Sequence, residues 1–355
     1  MTKEDSLQLK GIAIMMMLWL HLFGTDQEIL AETDKSIYLW DGEPLIFAMR
    51  KFGRMCVVLY TFLGGYGLAK VYQRCPNAKG FGIIGGMNNG KRLWNLFTNY
   101  WIVMLLFLII ATILKPDIYP GNATDITQNI TALNSTYNDS LWFLFPYALL
   151  TLFASPIIRL SRSLRGMQLW FFITMALVVK IIAYNTAIPH DSWGRIVLGN
   201  IISALGLFFM FFIGAIFANN SLIEKTVKWT RLQVSDSFIV QKLHIGASTV
   251  FTILLFGLFV GRVALGASTL IDPVYIILMI VPFLCIERPK WIATSLAYIG
   301  KHSTNIWFTH RYILVLTGTA ITFFRFPIVI LIALIAGCLA CSYIINAIKK
   351  VTLKA

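Results

Sequence analysis

Apolar stretches close to the length that crosses a bilayer recur from Gly11 to Asn346, and nothing of soluble-domain size is left between them. A hydrocarbon layer about 30 Å thick takes roughly 20 helical residues, and a backbone inside it must satisfy its own hydrogen bonds. The chain is therefore read as an all-α polytopic membrane protein, a bundle of about ten transmembrane helices. The expected spans are 11–28, 52–72, 98–115, 140–158, 167–185, 196–218, 243–261, 270–286, 302–321 and 327–346. Composition agrees: 57% of the 355 residues are hydrophobic and 13% charged, against roughly 25% charged in a soluble domain.

Charge placement tests this count independently, because short cytoplasmic loops collect Lys and Arg. With the N-terminus inside, twenty of the 30 basic residues fall on cytoplasmic segments or adjoining helix ends, among them Lys3, Lys10, Lys70, Arg74, Lys79, Lys91, Arg92, Arg159, Lys225, Arg288 and Lys349. Eleven of the 16 acids, from Asp26 to Asp272, fall outside. The expected location is the inner or plasma membrane, with both termini cytoplasmic, residues 25–50 and 116–139 outside, and residues 73–97 and 219–242 inside. The first stretch has lysines before it, as a signal peptide would. His21, Asp26 and Glu28 follow it in place of a small-residue cleavage site, so it is read as a retained helix. The net charge of +14 is spread over five inner loops. It points to topology and anionic membrane lipids as partners, not to nucleic acid.

No metal site is expected. Cys56, Cys285, Cys338 and Cys341 lie in or beside apolar runs, and Cys75 has no second cysteine or histidine at ligand spacing. No Walker-type loop is present, and the Gly64-Gly65 and Gly85-Gly86 pairs lack dinucleotide-binding spacing. Gly206, Gly214 and Gly337 are expected where helices approach closely. Asn122, Asn129 and Asn134 head formal glycosylation triplets in an Asn/Thr-rich segment that yields such triplets by chance.

Titratable residues inside a span are costly and mark functional candidates. His21 lies eleven residues, about three turns, beyond Lys10 on the first helix. His310 and Arg311 come late in the ninth span and His302 at its start, eight residues before His310 and so expected on nearly the same face. Lys180, Arg195, Arg262 and Arg325 gather toward the outer half. On the inner side Lys91 and Arg92 stand just before the third span, and with their neighbours they are the natural partners of a phosphorylated ligand. These features leave an enzyme and a transporter both open.

Lys10-Gly-Ile-Ala-Ile-Met-Met-Met-Leu-Trp-Leu-His21 resembles the opening helix of the membrane-bound acyltransferase 3 family, in which a basic residue, usually Arg, stands ten intervening residues before a His. Four later elements follow in the family's order. Leu63-Gly64-Gly65-Tyr66 resembles its Leu-Ser-Gly-Tyr element, with Gly64 at the Ser position. Arg92-Leu-Trp-Asn95 before Tyr100-Trp101 resembles its paired-arginine element, with Asn95 at the second Arg. Leu141-Trp142-Phe143-Leu144 resembles its Leu-Trp-Phe-Leu element. Ile299-Gly300-Lys301-His302-Ser303 with Ile306-Trp307-Phe308-Thr309-His310 resembles its late Gly-x-x-Ser, Ile-Tyr-x-x-His element. The resemblance runs from residue 10 to 310 and implies a single transmembrane acyltransferase-like domain over 1–355, without the soluble esterase-like domain that some relatives carry.

The resemblance implies transfer of an acyl group, acetyl foremost, from cytoplasmic acyl-CoA to a hydroxyl of a cell-envelope glycan or lipid-linked sugar. It makes His21 the expected general base, with His310 and Arg311 as further catalytic candidates, and Lys10, Lys91 and Arg92 the expected partners of acetyl-CoA or another acyl-CoA. No metal is called for. The competing readings are a transporter or flippase of a glycan or lipid-linked substrate, and an inactive acyltransferase-like binding protein.

Overall fold

A computed structural model describes residues 1–39, 41–74, 89–237, 242, 246–264 and 270–352, and everything regular among them is helical. Cys75, Lys79 and the Gly85-Gly86 pair lie outside the described residues. In chain order the helices are α1 (Lys3–Leu20), α2 (Gln27–Glu32), α3 (Leu45–Ala48), α4 (Arg50–Gly53), α5 (Cys56–Arg74), α6 (Asn89–Leu114), α7 (Ala123–Ile130), α8 (Leu144–Leu152), α9 (Ala154–Ser163), α10 (Gly166–Asn185), α11 (Trp193–Asn219) and α12 (Leu222–Ser235). They continue with α13 (Ala247–Ala264), α14 (Asp272–Cys285), α15 (Lys290–Thr317) and α16 (Pro327–Thr352).

Seven of the segments are long and apolar enough to cross a membrane, and eight if the bent α8–α9 pair is one span. This is fewer than the ten expected. The fourth span turns by 58° between Leu152 and Ala154. The eighth is α14, a helix of only 14 residues, and the ninth is the 28-residue α15. α15 is less apolar than the other spans because it carries Lys290, Lys301, His302, Asn305, His310 and Arg311.

Sequence decides which helices are central. α10 is apolar at all but a few positions such as Lys180 and buries only Ala176, so it lies at the edge of the bundle, packed on α11. α1 buries Gln8, Leu9, Ala13, Ile14, Met17 and Leu18 and crosses α15 closely. A Cβ on Gly11 would collide with the Leu296 carbonyl, and one on Gly300 with the Leu7 carbonyl. Removing both side chains lets the backbones touch, which is how membrane helices gain packing where no hydrophobic force separates helix from lipid. The α5–α11 crossing repeats the device, with Gly65 against Phe211 and Gly214 against Phe62. Gly214 thus packs as expected, Gly206 meets only the Ala183 side chain, and Gly337 makes ordinary contact with Ile313.

Side-chain bonds gather the helix ends into two rims. At one, Gln73 donates to the Ala218 carbonyl, Arg288 to Gln8, Arg231 to the Leu284 carbonyl and Lys349 to the Asn95 carbonyl. Glu224, at the start of α12, lies 3.0 Å from Lys70 and accepts from the Tyr66 hydroxyl at 2.9 Å. Burial alone would raise its carboxyl, but hydrogen bonds from its own backbone N–H, Lys70, the Met1 amine and Tyr66 pull it down to about 2. At the other rim Arg311 meets Asp26 and Asp139, and Arg262 meets Asp272. Gln73, Asn95 and Glu224, from segments expected inside, fall at the first rim, and Asp26 and Asp139, from segments expected outside, at the second. Of the three formal glycosylation asparagines, Asn129 is buried, bonded to the Asp125 carbonyl and the Thr136 hydroxyl.

Candidate active site

The first helix prepares the site. Thr2 and Asp5 cap α1 reciprocally, at 3.0 and 2.8 Å, and the helix runs unbroken to Leu20. It then widens into a π-helical turn over His21–Thr25. Such turns concentrate at functional sites because they re-aim side chains at the cost of regular bonding. Asp26 ends the turn, and its carboxylate accepts from the Ile29 N–H to cap α2.

His21 and His310 meet here. Their ring centroids are 5.0 Å apart at 47°. The Nδ1 of His310 lies 2.8 Å from the Trp307 carbonyl. A carbonyl only accepts, so Nδ1 carries the proton and the neutral ring presents a bare Nε2. That Nε2 is fully buried and makes no hydrogen bond among the described residues. Arg311, one residue on, donates from Nε to Asp139 at 3.1 Å and lies 3.6 Å from Asp26. Both Arg311 and Asp139 are within electrostatic reach of His21.

His302 does not join this group. Its Nδ1 lies 2.8 Å from the Ser342 hydroxyl of α16, and Asn305 donates to the same hydroxyl. Eight residues of α-helix turn the chain about 80° past two full turns. That is enough to send His302 to α16 and His310 to α1, so the expectation of a shared face is corrected.

A cavity of about 670 Å³ opens beside the histidines, within the range of small-molecule sites. Along α1 it is lined by Lys10, Met17, Leu20, His21 and Thr25. At 1.5 Å per residue this wall is about 22 Å long, most of a bilayer core. Opposite it stand Tyr60, Gly64, Tyr147, Ser303 and Trp307. The Tyr60 hydroxyl donates to the Lys10 carbonyl at 3.3 Å. Gly64, at the Ser position of the sequence element, faces the Tyr147 ring, and any Cβ there would press on it.

The other expected residues are spread around this cavity. Lys91 and Arg92 are exposed on the first turn of α6 and do not line it. Arg92 stands one turn before Leu96, which does line it, and is within electrostatic reach of Tyr147 in its wall. Lys180 lines the cavity, whereas Arg195 pairs with Asp191 on the surface. Arg325 ends the short 3-10 segment Gly318–Phe324. Arg54 and Asp272 line the cavity without having been singled out in sequence. Among the described residues no group of three or more His, Cys, Asp or Glu side chains is placed to hold a metal ion.

The comparisons with known proteins speak at the level of family. No curated protein and no solved structure matches the chain. The acyltransferase domain family, acyltransferase 3, matches residues 7–347. That match runs from the first turns of α1 to the last turns of α16, across every wall of the cavity, and the chain belongs to the membrane-bound acyltransferase 3 family.

Proposed function

We propose that the protein transfers an acyl group, acetyl foremost, from cytoplasmic acyl-CoA to a hydroxyl of an extracytoplasmic glycan or lipid-linked sugar, through one ten-span domain with both termini cytoplasmic. The observation that carries this reading is the single cavity that has Lys10 toward one rim and His21, beside the buried His310, toward the other. A donor anchored by its phosphates at Lys10, Lys91 and Arg92 would pass its acyl arm along the α1 wall. α14 and α15 supply the two crossings beyond the eight, one short and one polar, as helices lining a cavity can be.

At the histidines the hydroxyl oxygen of the acceptor attacks the thioester carbonyl carbon. His21 takes the hydroxyl proton as the new C–O bond forms, the C–S bond breaks, and the proton passes to the departing CoA thiolate. A neutral imidazole suits both transfers. His310, its Nδ1 proton held by the Trp307 carbonyl, places a bare acceptor Nε2 beside the His21 ring, where a rotation of that ring would let His21 donate to it and keep its other nitrogen free as base. Arg311 supplies positive charge at the outer end, where the carbonyl oxygen gains negative charge.

The bent α8–α9 pair is the feature a transporter reading would claim, since transporters place broken helices around midplane sites. It is the single bent pair among the described residues, without the counterpart that an internal repeat would supply. Family membership favours the enzyme.

The test is transfer of labelled acetyl from acetyl-CoA to cell-envelope glycan or lipid-linked sugar fractions by purified protein in lipid, with CoA affinity measured alongside. His21→Gln should lower transfer by about a hundred-fold to ten-thousand-fold and leave CoA affinity unchanged. Transfer within a few-fold of the parent would remove His21 from the mechanism. No transfer by the parent to any envelope fraction, with substrate movement instead, would replace the enzyme by a transporter.

A further inference from the structure

We propose that the outer part of the cavity is a subsite for an anionic group, a phosphate or carboxylate, on the acceptor. The assignment of this end to the acceptor rests on the transfer reading above. The anion site itself rests on three cations and one acid.

Arg54 at the end of α4, Lys180 of α10 and Asp272 of α14 line the cavity together. Gly53, one residue before Arg54, packs against Met16 and Leu20 of α1, which sets Arg54 at the level of His21. Asp272 is committed elsewhere. Its Oδ1 accepts from Arg262 Nε at 2.9 Å and lies 2.8 Å from Nη2, with both side chains 1% exposed. Arg54 and Lys180 are within electrostatic reach of that carboxylate, yet neither side chain forms an ion pair or hydrogen bond among the described residues. Three cations therefore share one acid, a local surplus of two positive charges at the outer part of the cavity, where Arg54 is exposed and Lys180 half-buried.

Such a surplus is costly in a membrane protein unless something offsets it. A lone lysine could reach out to the interface, but Lys180 faces an interior cavity that Arg54 also enters. An oxyanion between the two would complete both, with Arg as a bidentate fork and Lys as a point charge. Ser203 and Tyr184 on the same wall add hydroxyls suited to a sugar. The chemistry fits two sources equally, the phosphate of a lipid-linked sugar and the carboxylate of an acidic sugar.

The protein in phosphatidylcholine nanodiscs is titrated with inorganic pyrophosphate, glucuronate and glucose, by calorimetry and by thermal unfolding. Pyrophosphate, glucuronate or both should bind and raise the unfolding temperature, while glucose does neither. Pyrophosphate alone would assign a carrier phosphate, and glucuronate alone an acidic sugar. The Arg54→Gln/Lys180→Gln variant should lose about tenfold to a hundredfold in that affinity and keep its CoA affinity. The charge-conserving Arg54→Lys/Lys180→Arg variant should retain the response. Should the double Gln variant misfold, Lys180→Gln alone, with the same loss expected, decides the matter. Equal binding of the anions to parent and Gln variants, absence of anion binding by the parent, or binding of glucose as tight as that of the anions would each overturn the proposal. A parent that binds the anions through these residues but transfers no acyl group would sink the transfer reading and leave the anion site standing.

Discussion

His310 shows how one backbone bond can set the state of a site. Because the Trp307 carbonyl takes the Nδ1 proton at 2.8 Å, the ring has no freedom to present a donor toward His21. A Gln at 310 can still donate to that carbonyl and fill most of the volume, but it offers no imidazole nitrogen. His310→Gln should lower the turnover of acyl transfer by about a hundredfold, leave KM for the donor unchanged, and shift the pH profile that His21 imposes. Parental turnover with an unshifted profile would reduce His310 to packing. At this scale sequence spacing was informative for Lys10 and His21, which line one cavity. It failed for His302, whose eight-residue offset crosses to another face, and for Arg54. Arg54 lay inside the expected 52–72 span, so the rule that charges inside spans are candidates had the signal to find it. Arg54 follows Arg50 and Lys51, a basic run at the edge of that span.

Among the elements, the α1–α15 crossing brings the two histidines together, and it depends on two glycines. Gly300→Ala puts a methyl group into the Leu7 carbonyl, where backbone meets backbone and nothing flexible can yield. Overpacking of this kind costs about 1–3 kcal/mol. The variant should unfold several degrees lower in nanodiscs and lose transfer activity as the crossing opens. Gly337→Ala, which would meet only the Ile313 side chain at 3.7 Å, should change neither measurement. An unaffected Gly300→Ala protein would mean that the crossing does not hold the site. Helix existence was legible from apolar runs, because hydropathy over a window is a local sum. The break between α8 and α9 and the π-helical turn after Leu20 were not, since each depends on what the neighbouring helices leave room for.

For the whole molecule, the two rims make orientation testable. Ala123 is exposed at the Arg311 rim and Thr226 at the Glu224 rim. Single cysteines at these positions, in a background with the five native cysteines replaced, should react with an impermeant reagent from outside the cell only at 123. Labelling at 226 alone would invert the topology. The charge distribution by itself determined that the chain has two chemically distinct ends, because positive-inside bias acts on each loop separately and survives an error in any one helix. Apolar run length likewise determined the class, since a bilayer imposes its thickness on every crossing. Only the tertiary structure decided which polar groups meet. His21 meets His310 from helices far apart in the chain, Arg262 pairs with Asp272 between the successive helices α13 and α14, and Arg54 and Lys180 come to line one cavity. Their convergence is set by where glycines let backbones touch and by how far each helix has turned on arrival, neither of which is a property of a single segment.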